Sequence, residues 1–220
     1  MAIRESEFIY SIAEYLALER ESEERHEYVD GYIYAMAGES PEHGEICANL
    51  SWVIGSQLSG TDCRARIKDT KVRSGPKPKS SRSRKGMYSY PDLLVVCGEL
   101  RFHDEHADVL TNPTVIIEVL SDSTEKFDHG EKFFRYITWN PTLTDYLLVS
   151  QKEPLIWHYV RQPDGNWLCK FYFGRDQALT IESIGCQLPL NKVYERVSFP
   201  AEEAEEAEEN MEEDNEEKQS

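Results

Sequence analysis

Asp92 closes the triplet Tyr90-Pro91-Asp92 ahead of the apolar run Leu93-Leu94-Val95-Val96, Glu118 stands inside Val115-Ile116-Ile117-Glu118-Val119-Leu120, and Lys132 follows shortly after. A carboxylate among aliphatic side chains is costly to ionise unless it is paired or holds a metal. Two of them in successive strand-like stretches point to a divalent-cation site, and the lysine points to chemistry on an anion beside it. The segment between them is long enough for adjacent strands joined by a loop over residues 98–113. If both acids project from one sheet face, their oxygens converge on one Mg²⁺ or Mn²⁺, hard cations that prefer oxygen donors and keep several waters. Such a cation eases deprotonation of water and offsets charge on phosphoryl oxygens. The lysine would orient or deprotonate the water, or stabilise a pentacovalent phosphorus, as a compact charge with an adjustable pKa.

The same residues also have plainer readings. Asp92 suits a turn cap after proline, and Glu118 suits one half of a buried ion pair with Lys132. Asp128, four residues before Lys132, can salt-bridge it or touch the metal. Glu27, just before the Asp30-Gly31 pair, reads either as a third acid in the cleft or as a solvated hairpin residue. His43 falls in the first turn of a helix, near the substrate or simply satisfied in place. Lys126 is the second choice for the lysine role, in a stretch that reads as exposed loop.

The elements that must position these groups alternate in type. Residues 6–24 carry Phe8, Ile9, Ile12, Tyr15, Leu16 and Ala17 at helical spacing. Residues 25–36 read as a hairpin turning at Asp30-Gly31. Ser40-Pro41-Glu42 opens a second helix, with a serine cap, proline in the first turn and an acid after it. Residues 63–73 read as one strand of alternating polarity, and 74–87 as a mobile loop rich in serine, glycine, proline and bases. Residues 90–97, 114–120 and 145–150 are aliphatic strands of the kind buried on both faces, with a helix over 127–139 between the last two. Residues 151–189 read as antiparallel strands. The fold class is therefore α/β or α+β, one domain over residues 1–200 with a central mixed sheet flanked by helices. Trp52, Trp139, Trp157 and Trp167 read as core or sheet-face packing.

Length and composition set the frame. A chain of 220 residues with 40% hydrophobic residues supports a single apolar core. No apolar run approaches the ~20 residues of a bilayer span, and the start lacks the form of a secretory signal. The five cysteines are odd in number and contain no C-x-x-C pair, which predicts free thiols in a reducing cytoplasm. The net charge of −17 is uneven. Residues 201–220 hold 11 acids and one base, an acidic tail without apolar periodicity that reads as disordered. The remaining body carries −7. Within it, residues 64–85 gather ten bases against Asp69 alone, which predicts nucleic-acid backbone contact through Arg64, Arg66, Lys68, Lys71, Arg73, Arg82, Arg84 and Lys85.

Pro91-Asp92 followed by Glu118-x-Leu120 resembles the PD-(D/E)xK nuclease superfamily, with Leu120 where that superfamily carries its lysine. Over residues 6–197 the chain resembles more closely the Uma-type family of restriction endonucleases. The resemblance rests on Glu27-Tyr28-Val29-Asp30-Gly31, Met36-Ala37-Gly38-Glu39-Ser40-Pro41-Glu42-His43, Asn49-Leu50, Tyr90-Pro91-Asp92, Ile117-Glu118-Val119-Leu120-Ser121-x-Ser123-Thr124, Asp128-x-x-x-Lys132 and Tyr146-Leu147-Leu148-Val149. It implies a restriction-endonuclease-like core and a Mg²⁺- or Mn²⁺-dependent endonuclease acting on DNA, with a homodimer supplying two active sites. It further implies Asp92, Glu118 and the Val119 carbonyl as metal ligands, with Lys132 taking the catalytic lysine's place. A nuclease fold that binds nucleic acid or regulates without cutting is the alternative.

Overall fold

In the computed structural model, residues 8–36 and 38–199 are described here; the acidic tail lies outside them. The elements in chain order are α1 (Ile12–Glu21), β1 (His26–Val29), β2 (Tyr32–Ala35), α2 (Pro41–Gln57), β3 (Cys63–Ile67), β4 (Lys71–Ser74), β5 (Met87–Ser89), β6 (Leu93–Cys97), β7 (Val109–Leu110), β8 (Val115–Val119), α3 (Glu125–Phe127), a π-helical turn (Asp128–Lys132), α4 (Phe133–Trp139), β9 (Asp145–Val149), β10 (Leu155–Arg161), β11 (Trp167–Phe173), β12 (Ala178–Ile181), a 3₁₀ turn (Glu182–Ile184), β13 (Cys186–Pro189) and α5 (Leu190–Val193).

These strands form two main sheets, a mixed six-stranded one ordered β11-β10-β9-β8-β6-β3 and a five-stranded one ordered β2-β1-β5-β4-β7. In the larger sheet only β8 and β9 pair in parallel, joined by the crossover through α3, the π turn and α4. The expected single strand over 63–73 is two strands in different sheets. The chain leaves β3 at Lys68, where φ is +38°, and re-enters as β4. The apolar stretch around Tyr90 divides likewise: β5 belongs to the small sheet and β6 to the large one, with Tyr90-Pro91-Asp92 as the step between. Proline has no N–H to give to a ladder, so the pairing ends there. Both steps lie side by side, the Lys68 N–H donating to the Asp92 carbonyl at 3.3 Å.

Three apolar clusters hold the layers together. One face of the large sheet (Leu93, Val95, Ile117, Leu147) packs under α2, α5 and the β12–β13 hairpin. The opposite face (Leu94, Ile116, Leu148) packs with Tyr136 of α4 and with Val72 and Met87 of the small sheet. The small sheet's remaining face covers α1 through Tyr15, Tyr28 and Tyr88. Helix α1 starts at Ile12, capped by Ser11 and Glu14 in a reciprocal capping box.

Two further expectations are corrected. Cys63 and Cys97, directly opposite each other across β3 and β6, form a disulfide, whereas Cys47, Cys169 and Cys186 are free thiols. Odd cysteine counts gave no sign of it, because the pairing depends on strand register. Trp52 is 76% exposed on α2, so it serves no core; Trp157 and Trp167 pack against the second cluster as expected.

The loop after β4 is pinned at several points: Ser83 O accepts from Ile12 N–H, Arg84 O accepts from the Tyr28 hydroxyl, and Gly86 exchanges hydrogen bonds with Asp30. Its two ends meet at Gly75 and Gly86, where a Cβ on Gly75 would stand 2.4 Å from the Gly86 Cα. Gly75→Ala is therefore expected to destabilise the fold by about 1–3 kcal/mol in urea denaturation. Gly44→Ala, on α2 with nothing near the added carbon, should instead be neutral or stabilise by up to about 1 kcal/mol.

Candidate active site

The seam between the two sheets gathers the predicted acids. Glu27 comes from β1 of the small sheet, Asp92 from the step between sheets, and Glu118 from β8 of the large sheet. In the β6–β8 ladder Leu94 pairs with Ile116 and Leu93 with Ile117, and Asp92, just before β6, meets the far end of β8 where the Val119 N–H reaches it. All three line a cleft of ≈ 300 Å³ together with His43, Asp128 and Lys132.

Lys132 is the hub. Its Nζ lies 3.0 Å from Glu118 Oε1, 3.3 Å from Glu27 Oε1 and 3.4 Å from Asp128 Oδ1. The lysine is only 5% exposed, Glu118 4% and Asp128 2%. Tyr136 OH donates to Glu118 Oε1 at 2.9 Å and shares a 2.9 Å hydrogen bond with Ser89 Oγ. The Tyr90 N–H donates to Glu27 Oε1 at 3.2 Å. Asp92 is held separately: His43 Nε2 lies 3.0 Å from Oδ1, and the Val119 N–H donates to Oδ2 at 2.8 Å.

Local backbone geometry explains why one helix supplies three of these groups. Asp128, Lys132 and Tyr136 are spaced by four. In an α-helix of 3.6 residues per turn each such step drifts about 40° around the axis. The π turn over Asp128–Lys132 is wider and drifts the other way, so the three side chains stay aligned on the sheet. The Asp128 carbonyl accepts from the Tyr146 hydroxyl at 3.0 Å.

The electrostatics follow from burial and from like charges. Burial, then Asp128, Asp92 and Glu27, hold the Glu118 carboxyl well above the usual range against the pull of Lys132. Burial alone would push the Lys132 ammonium down, but Glu118, Glu27 and Asp128 outweigh it and hold it well above the ordinary value. Asp92 is half-buried, yet His43 and the Val119 N–H keep its carboxyl below the usual range. The lysine is thus held in its charged form, while the crowding of negative charge pushes Glu118 towards its neutral form.

A hard divalent cation fits this donor set. The acids offer only oxygens, and Asp128 Oδ1 is a buried oxygen that accepts no hydrogen bond although the ammonium lies near it. Leu120, in the place where the nuclease superfamily carries lysine, is buried in the second apolar cluster. Lys126 is exposed and lies outside the cleft lining.

The basic segment divides. Arg64 and Arg66 are exposed on the edge strand β3, and Arg82, Arg84 and Lys85 are exposed on the loop. Lys68 pairs with Glu39 at the cleft rim. Lys71 is not a surface base: it is buried, bonded to Asp108 and the Tyr90 hydroxyl. Arg73 is half-buried and donates to His103. Sequence analysis does not single out Tyr136, whose hydroxyl reaches Glu118; the spacing of 128, 132 and 136 was the available signal.

A sequence profile described as "Uma2: Putative restriction endonuclease" matches residues 12–191. The chain belongs to the Uma2 family. Among curated proteins it is similar to two of Synechocystis sp. (strain ATCC 27184 / PCC 6803 / Kazusa). "Uncharacterized protein slr1290" is 37% identical, covering 84% of this chain and 92% of the relative. "Uncharacterized protein sll1609" is 33% identical, covering 76% and 90%. Among solved structures, a crystal structure titled as a putative nuclease belonging to DUF820 from Anabaena variabilis ATCC 29413 superposes with a TM-score of 0.66 at 18% identity, over 84% of this chain and 97% of that one. That likeness establishes a shared fold. No helix among the described residues is long and apolar enough to cross a membrane.

For this Uma2 chain two expectations follow. Lys132→Met removes the compensating charge from Glu118, Glu27 and Asp128 and should cost about 3–5 kcal/mol of stability, read by chemical denaturation. In the wild type that contribution is complete below the ordinary lysine value of 10.5 and is lost only as pH rises through the higher folded value. Glu118 runs the other way: its charge costs nothing below the ordinary 4.5 and costs progressively more as pH rises towards its raised value. Binding of Mn²⁺ should therefore release a proton and weaken as pH falls. Calorimetry in buffers of different ionisation enthalpy measures this, and Glu118→Gln should abolish the release.

Proposed function

We propose that this chain is a Mg²⁺- or Mn²⁺-dependent phosphodiesterase that cuts DNA as a homodimer, each copy supplying one active site. The observation that carries the reading is the gathering of Glu27, Glu118 and Asp128 on one buried lysine, with Asp92 beside them, in a cleft open to solvent. Among the described residues no other carboxylate cluster surrounds a buried lysine in this way, and family membership supports nuclease chemistry.

Asp92, Glu118 and the Val119 carbonyl would hold the cation, with Asp128 and Glu27 as accessory oxygen donors. When bound, the cation supplies Lewis acidity and lowers the pKa of water. The protein's own groups do the rest. The Lys132 ammonium, kept protonated by its acidic neighbours, stabilises negative charge developing on the phosphoryl oxygens. His43 and the Val119 N–H fix the Asp92 carboxylate, while Tyr136 fixes Glu118 from below. Exposed Arg64, Arg66, Arg82, Arg84 and Lys85 provide phosphate contacts on a body that otherwise repels DNA.

Purified protein should convert supercoiled plasmid to nicked and linear forms with Mn²⁺ or Mg²⁺ and not with a chelator. Asp92→Asn and Glu118→Gln should each lower the rate by about 10²–10³-fold, the scale seen when one electrostatic group of an active site is removed. Cleavage that persists in both variants would overturn the reading. Cation-dependent DNA binding without cleavage would favour a regulatory nucleic-acid-binding module instead.

A further inference from the structure

The donors around Asp92 differ in kind from those around Lys132. His43 and Cys47 stand one turn apart on α2, both buried, and Asp92 approaches them from the start of β6. One ligand atom from each lies within 4.8 Å of the other two. His43 Nε2 and Asp92 Oδ1 are 3.0 Å apart. Around a tetrahedral Zn²⁺ with bonds near 2.0–2.2 Å, neighbouring nitrogen and oxygen ligands stand about 3.4 Å apart. That pair needs adjustment of only a few tenths of an ångström, and the Cys47 thiol, within 4.8 Å of both, would close by up to about 1 Å.

We propose that His43, Cys47 and Asp92 form a site for a thiophilic divalent cation of the Zn²⁺ class, distinct from the carboxylate cleft, and that its occupancy withdraws Asp92 from that cleft. One nitrogen, one sulfur and one oxygen donor select borderline transition metals and reject Mg²⁺, which takes oxygen. A buried cysteine is more often a small apolar filler, but this one faces a carboxylate and an imidazole rather than aliphatic carbon alone. Three protein ligands leave a fourth position open. Cys47 and Asp92 also line a second groove, of ≈ 740 Å³, running along α2 past Gly44, Ala48, Ser51 and Gly55. Those small side chains leave room for water or another ligand at the fourth position. Asp92 lines both hollows and can serve only one cation fully. The competitive part of the inference rests on the proposed cation site at Asp92 and Glu118; the site itself does not.

Co²⁺ titration of the full chain without reductant, so that Cys63–Cys97 stays bridged, tests the site. A near-ultraviolet thiolate-to-cobalt band together with visible bands of tetrahedral intensity is expected in wild type and in Glu118→Gln. The thiolate band should vanish in Cys47→Ser, or in Cys47→Ala if the serine variant does not fold, and Co²⁺ affinity should fall at least about tenfold in His43→Gln. Absence of the band in wild type, or its survival in both Cys47 variants, overturns the proposal. Competition is read by electron paramagnetic resonance: adding Zn²⁺ should release bound Mn²⁺ from wild type and not from the Cys47 variant. Retention of Mn²⁺ in wild type overturns the competition. A protein that cleaves no DNA but gives the cobalt spectrum would refute the nuclease reading and leave the site standing.

Discussion

The ammonium of Lys132 sits among three carboxylates in a pocket where neither it nor Glu118 meets much water. An acid in such a place without a partner would cost several kcal/mol, and three of them would not fold at all in ionised form. One cation makes the group tolerable without making it neutral. The surplus of negative charge that remains is what a divalent ion would relieve, so the same imbalance that limits stability would favour such an ion. Tyr136 and Ser89 add neutral hydrogen bonds that fix Glu118 in direction without changing that charge balance.

That arrangement depends on the chain changing sheets twice at one place. If Tyr90–Cys97 ran as one strand, Asp92 would lie within a ladder with aliphatic neighbours above and below. Instead Pro91 ends one sheet and Asp92 opens the next, beside the break at Lys68 that separates β3 from β4. The hairpin β1–β2 extends the small sheet, and Glu27 on β1 reaches the cleft from there. The cleft thus lies at the strand ends where the two sheets part, open because neither continues across it. The loop over 75–86, far from idle, ties α1 and the hairpin turn together through Ser83, Arg84 and Gly86.

Much of this was legible from residue types and spacing. Aliphatic runs marked β6, β8 and β9, Asp30-Gly31 marked the hairpin turn, Ser40-Pro41 marked the start of α2, and the acids at 92 and 118 stood out because their neighbours are apolar. What escaped reading was everything decided by tertiary register. Alternating polarity over 63–73 is the same whether one strand or two results, and only the partner strands reveal the break. Cys63 and Cys97 look unrelated until β3 is laid against β6. Lys71 looks like its basic neighbours, yet Asp108 and Tyr90 draw it inward. Trp52 would suit a core, but α2 turns it outward over a groove lined with small residues.

Asp92 connects these observations. Unlike Glu27, Glu118 and Asp128, it is not paired with Lys132; its oxygens answer instead to a histidine on α2 and to a backbone N–H on β8. Those two restraints come from opposite layers of the fold, one helical and one in the sheet, and they hold its carboxyl ionised where Glu118 is held towards its neutral form. A pair of acids with environments that push them apart is a common way to divide roles within one site. Here the ready anion is also the one within reach of sulfur and imidazole. The choice between the two proposed cation sites therefore turns on Asp92, and on whether its free lone pairs are taken up from the helix side or from the carboxylate side.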